Sequence, residues 1–123
     1  MIVLDTSLLV EILEDGPKAS WIRDQLSLLP ETESLACSVI TTFEMLNARK
    51  PEAFEKSPLM KIVRVLPVDQ AVARRASWIF AQSFARSRRK IPDALIAATA
   101  LIYRARLWTL DSDFKKIPGL PLI

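Results

Sequence analysis

The chain has 123 residues, 17 Lys and Arg against 14 Asp and Glu for a net charge of +3, two glycines, one cysteine and no histidine. That length suits one domain that buries its own core without disulfides or a structural metal. The missing histidines exclude Ser-His-Asp and Cys-His catalysis, His-ligated metals and paired-histidine cleavage of RNA through the 2′-hydroxyl, and two glycines write neither a Walker loop nor a dinucleotide fingerprint.

In chain order, residues 1–4 read as an apolar strand that ends at Asp5. Leu8, Leu9, Ile12 and Leu13 follow helical spacing, and Asp15-Gly16-Pro17 stops that helix. Pro17 opens a second helix to about residue 29, with Trp21, Ile22, Leu26 and Leu29 on one face. Residues 35–38 form a short strand holding Cys37, expected as a buried small hydrophobe rather than a nucleophile. Residues 41–49 read as a helix, residues 50–58 as a connection with room for one helical turn, and residues 62–68 as a valine-rich strand. Asp69 caps a long helix to about residue 85, whose inner face carries Val72, Ala76, Ile79, Phe80 and Phe84. After the basic run 86–90, Pro92 starts a helix over residues 93–104 that is apolar nearly all round and therefore buried on more than one side. Residues 107–110 make a strand, Asp111-Ser112-Asp113 a turn, and residues 120–123 a last strand. Short apolar strands alternating with helices imply a single α/β/α domain around a mostly parallel sheet of four to five strands.

In such sheets ligands gather beyond the carboxyl ends of the strands. Asp5 and Asp111 follow strands, Glu44 lies in the helix after residues 35–38, and Asp93 stands at the front of the inner helix. Each acid also has a plain structural use. Asp5 suits a helix cap, Thr41 and Glu44 have capping-box spacing, Asp93 complements a helix dipole, and Asp111 and Asp113 suit a turn. Taken together, four carboxylates drawn close in space need a cation, and Asp and Glu without His or Cys are hard oxygen ligands for Mg²⁺ or Mn²⁺. One such ion, or a close pair, activates water against a phosphodiester without any histidine.

Val3-Leu4-Asp5-Thr6-Ser7, Ser38-Val39-Ile40-Thr41-Thr42-Phe43-Glu44, Pro92-Asp93-Ala94-Leu95-Ile96-Ala97-Ala98-Thr99-Ala100 and Leu110-Asp111-Ser112-Asp113-Phe114 resemble, in that order, the motifs of the PIN-domain family, most closely its VapC-like toxins. The resemblance spans nearly the whole chain. It implies a parallel-sheet fold with an acidic pocket and a Mg²⁺- or Mn²⁺-dependent endoribonuclease acting as the toxin of a toxin–antitoxin pair. Asp5, Glu44, Asp93 and Asp111 match the family's acidic quartet, Thr109 its frequent hydroxyl, and Thr6 and Ser7 the polar positions after the first acid; Asp113 is an extra acid. On this reading Asp5 and Asp93 hold the main metal, Glu44 orients or deprotonates the attacking water, and Asp111 completes the site or holds a second, weaker ion. Thr6 or Ser7 then caps the first helix and frees Asp5. The resemblance further implies a homodimer and a small antitoxin whose tail occupies the pocket.

Arg86, Arg88, Arg89 and Lys90 precede the Asp93 helix and are expected either to grip RNA phosphates beside the pocket or to form a solvated loop end. Trp21, Trp78 and Trp108 are expected as core or interface anchors. The apolar stripes on the first two helices and on the Asp69 helix exceed what a small core needs, which suggests a dimer or antitoxin surface. The longest nearly apolar run, residues 94–103, is about half a membrane span, so a soluble cytoplasmic protein is expected. Two other readings remain: a PIN-type nuclease acting on DNA or in RNA processing, and a non-catalytic binding module whose acids are caps.

Overall fold

The computed structural model describes residues 1–123. Four strands, β1 (Ile2–Leu4), β2 (Leu35–Ser38), β3 (Val63–Leu66) and β4 (Arg106–Trp108), form one sheet in the order β3-β2-β1-β4. Every pairing is parallel: Val3 stands opposite Ala36 of β2 and Leu107 of β4, and Ala36 opposite Arg64 of β3. All four carboxyl ends therefore reach the same edge, and β1 has neighbours on both sides.

Alternation along the strands sends side chains to two separate cores. Val3, Ala36 and Leu107 face the helices α5 (Gln70–Ser83) and α6 (Ile91–Ile102), where Val72, Ile79, Ile96 and Ala97 join them. Ile2, Leu4, Cys37 and Trp108 face the other way, onto Leu8, Leu9 and Ile12 of α1 (Thr6–Leu13), Ile22 of α2 (Ala19–Ser27), Met45 of α3 (Val39–Leu46) and Phe54 of α4 (Pro51–Lys56). The expected α/β/α domain is thus observed. Cys37 is buried, and desolvation pushes its thiol up to about 11, which leaves it protonated and inert at neutral pH.

The helix boundaries differ from expectation at three places, one being α6, which runs over Ile91–Ile102 rather than residues 93–104. Helix α2 starts at Ala19 rather than Pro17 and stops at Ser27. Helix α3 starts at Val39 because Ser38 serves both as the last residue of β2 and as a cap, its hydroxyl accepting from the Ile40 amide at 3.0 Å. Thr41 lies within α3, fully buried, so the capping-box reading of Thr41 and Glu44 is corrected. The last strand shrinks to a bridge between Leu107 and Leu122. Pro118 and Pro121 lack the amide hydrogens that a longer ladder needs. At the other end of the basic run, α5 closes on two consecutive left-handed residues, Ala85 at φ 49° and Arg86 at φ 53°, which turn the chain into a tight 3-10 turn, Arg88–Lys90, that leads into α6. Neither is a glycine, so each left-handed residue costs about 1–2 kcal/mol.

Candidate active site

Asp5 occupies the cap position of α1 in an extended conformation, yet its side chain makes no cap hydrogen bond. Neither Thr6 nor Ser7 takes over that task. The Ser7 and Thr109 hydroxyls each donate to Asp5 Oδ2 at 2.7 Å, and Ser7 Oγ accepts from the Leu110 amide at 3.1 Å. Two hydroxyls from segments 102 residues apart therefore orient one buried carboxylate. The Asp111 amide donates to Thr109 Oγ1 at 3.0 Å, which fixes Thr109 in turn.

Glu44 reaches the same edge from α3. Thr41 and Glu44 are three residues apart and share a helix face, and both meet Thr6 of α1. The Thr6 hydroxyl donates to Glu44 Oε1 at 2.7 Å and lies 3.0 Å from Thr41 Oγ1. Asp93 stands in the first turn of α6. Asp111 caps the following 3-10 turn (Ser112–Lys116) by accepting from the Asp113 amide at 2.9 Å.

Lys90 departs from the expected phosphate-facing role. Its ammonium is turned into the acids, 2.7 Å from Asp113, 3.1 Å from Asp93 and 3.4 Å from Asp111, and its side chain is only 18% exposed. Arg86, Arg88 and Arg89 remain exposed at the rim. The three-residue spacing from Lys90 to Asp93 at a helix start was the available signal for this ion pair.

The acids feel one another. Burial, more than any other cause, raises the pKa of Asp5, against the lowering effect of the Thr109 and Ser7 hydroxyls. Burial likewise raises Glu44, opposed by Thr6 and reinforced by the charges of Asp5 and Asp93. Asp93 is raised by burial first, then by Asp5 and Asp111, against Lys90. Asp113 is lowered, chiefly by its hydrogen bond from Lys90. Buried carboxylates that raise one another are short of positive charge, and an all-oxygen donor set of this kind fits a hard divalent cation. No three acids are drawn into a closed coordination shell in this structure.

A cleft of about 590 Å³ adjoins the cluster at Thr109 and Asp111 and is walled by Trp21, Trp108, Lys18 and Lys115. Trp108 is buried as expected, but Trp21 is 55% and Trp78 49% exposed, so neither is a core residue. Trp21 meets Trp108 edge-on, with centroids 6.5 Å apart. The spare apolar surface lies partly where expected, at Trp21 on α2 and Trp78 on α5, but not on α1. Leu8, Leu9 and Ile12 of α1 are buried, whereas Val39, Phe43 and Leu46 form an exposed stripe on α3.

A parallel α/β/α sheet with acids from four segments at its carboxyl edge, Asp5 in the middle, defines the class. The PIN domain family model matches residues 2–120, and the chain belongs to that family, one of nucleases. Within it the chain is VapC-like. The VapBC-1 structure from nontypeable Haemophilus influenzae is 22% identical with a TM-score of 0.79, over 100% of this chain and 97% of that one. A toxin–antitoxin complex from Klebsiella pneumoniae is 25% identical with a TM-score of 0.74, over 100% and 96%. VapBC-5 from Mycobacterium tuberculosis is 26% identical with a TM-score of 0.65, over 98% and 95%. No curated protein matches the chain significantly.

Proposed function

We propose that this chain is a Mg²⁺- or Mn²⁺-dependent endoribonuclease and the toxin of a toxin–antitoxin pair. The observation that carries the reading is the set of carboxylates Asp5, Glu44 and Asp93, the first buried and the other two half-buried, each raised chiefly by desolvation, at one sheet edge in a chain without histidine. Asp5, Glu44 and Asp93 would hold the ion, with Asp111 at its border. Bound there, a divalent cation lowers the pKa of water and neutralises charge on the scissile phosphate.

The chain's own groups do the rest. Ser7 and Thr109 keep Asp5 in one orientation. Glu44, oriented by the Thr6 hydroxyl, takes the proton of the attacking water. Water adds to phosphorus, the bond to the 3′-oxygen breaks, and that oxygen takes up a proton from solvent as it leaves. The products carry a 5′-phosphate and a 3′-hydroxyl, so the 2′-hydroxyl takes no part. Incubating structured RNA with the protein and Mn²⁺, with and without chelator, tests the scheme. Cleavage that survives chelation, or products ending in a 2′,3′-cyclic phosphate, would refute it.

Outside the acids, Arg88 and Arg89 supply phosphate contacts. Replacing both with Ala is expected to weaken RNA binding and to flatten its salt dependence by about 0.7 in log–log slope per lost contact on single strands. Filter binding from low to moderate salt measures this. Thr109→Val keeps the side-chain shape and removes one donor to Asp5. It should lower Mn²⁺ affinity or turnover about 10–100-fold, the usual effect of losing a group that orients a ligand. Titration calorimetry and initial rates check that value.

The solved neighbours named above are toxin–antitoxin assemblies, which supports a small antitoxin as partner. The exposed stripe Val39, Phe43 and Leu46 offers the apolar surface for a homodimer. No helix is long and apolar enough to cross a membrane, which accords with a cytoplasmic site of action.

A further inference from the structure

The acidic cluster is divided into two unlike halves. Asp5 and Glu44 receive hydroxyl donors from Ser7, Thr109 and Thr6, and no cation pairs with them. Asp111 and Asp113 share the ammonium of Lys90 with Asp93, so the three protons of that group face three carboxylates. The stem of Lys90 is held as well. Its ammonium lies 5.9 Å from the centroid of the buried Phe84 ring, and its backbone ends the turn set up by the left-handed Ala85 and Arg86. A lysine on a free loop would not be fixed in this way.

We propose that Lys90 is a tethered resident cation that fills the Asp111–Asp113 half of the pocket, so that the site accepts one divalent ion, at Asp5, Glu44 and Asp93, and not two. The inference rests on the metal-dependent reading above and adds to it a stoichiometry and the residue that sets it. Asp93 is the hinge between the halves, since it belongs to the ligand set and also pairs with Lys90. A second divalent ion would have to enter a space whose oxygens already answer a positive charge 2.7 to 3.4 Å away. Lys90 acts here as a positioning residue. By holding Asp111 and Asp113 apart from the ion, it leaves the open coordination positions of a single metal to water and phosphate.

The test is a calorimetric titration of the full chain with MnCl₂, comparing the native protein with Lys90→Met and Lys90→Arg. The native chain should bind one equivalent. Lys90→Met, which keeps the length and loses the charge, should bind two, and its metal-free form should melt lower and regain the native melting temperature with Mn²⁺. Lys90→Arg should stay at one. Two equivalents on the native chain, or one equivalent of unchanged affinity on a folded Lys90→Met, would overturn the assignment of Lys90. Because the native titration alone reads the stoichiometry, a Lys90→Met chain that failed to fold would leave the proposal open to refutation. Absence of Mn²⁺ binding by the native chain overturns instead the metal reading on which the proposal stands.

Discussion

Asp5→Asn is expected to fold normally, to melt at or above the native temperature, and to cleave RNA about a thousand-fold more slowly or worse. The size of the loss follows from losing one charged ligand of an ion worth several kcal/mol of transition-state stabilisation. The gain in stability follows from burial. Asp5 is nearly inaccessible, and desolvation opposes its ionised form more strongly than the Ser7 and Thr109 hydroxyls support it. An amide of the same shape still accepts from both hydroxyls and carries no charge to desolvate. Thermal denaturation and single-turnover cleavage measure the two effects separately. A variant that lost several kcal/mol would mark Asp5 as structural, and one that cleaved at the native rate would remove it from the reaction.

The second large effect is on pH dependence, where the metal-free and metal-loaded proteins should behave in opposite ways. Asp5, Glu44 and Asp93 have folded-state pKa values above their ordinary values of 3.8, 4.5 and 3.8. Between those ordinary values and the raised ones, the folded chain binds more protons than the unfolded chain. Stability from these three groups is therefore fully present below the ordinary values and is lost as pH rises through the raised ones. In chelator, acidification through that window should strengthen the fold. Asp113 has the reverse sign, since Lys90 lowers it, and its contribution disappears only as pH falls below 3.8. Divalent binding requires the raised carboxyls to be ionised, so Mn²⁺ affinity should fall on acidification, by up to tenfold per pH unit for each proton displaced. Denaturation curves in chelator and Mn²⁺ titrations over the same pH range show both trends. A metal-free protein that weakens steadily from neutrality to pH 4.5 would contradict the raised values.

Much of the architecture was legible because strand and helix periods differ. The apolar stretch before Asp5 and the one over residues 35–38 lie at or within a residue of the observed strands. Asp69 caps α5 as expected, accepting from the Val72 amide at 2.9 Å. The misplaced start of α3 has a simple cause: Ser38 performs two tasks, and a strand residue that also caps leaves no turn between elements to read. The lost final strand turns on Pro118 and Pro121, whose effect outweighs the apolar character of Leu120, Leu122 and Ile123.

The acids themselves were legible by position, but their partners were not. Nothing local marks Thr6 for Glu44 or Thr109 for Asp5, because those contacts join residues 38 and 104 apart. Lys90 was masked by its neighbours. In a run of four basic residues the spacing from Lys90 to Asp93 was the one local signal, and the left-handed turn at Ala85 and Arg86, which contains no glycine, left no mark to strengthen it. For Trp21 the core alternative failed and the interface one stands, because helical spacing with Ile22 and Leu26 says which residues share a side, not how far the next element covers it.

The central place of β1 also dictates when the active centre comes into being. The first strand made must wait for β4, the last, before its second edge is paired and before Thr109 reaches Asp5. Asp5 and Thr109 lie 104 residues apart, so at a synthesis rate of roughly 5–20 residues per second about 5–20 seconds separate their appearance in the chain. A polypeptide halted before β4 would carry Asp5, Ser7 and Glu44 but lack Thr109, the second of the two hydroxyls that orient Asp5. Under the proposed function, chain order alone therefore withholds the complete candidate site until β4 has been made.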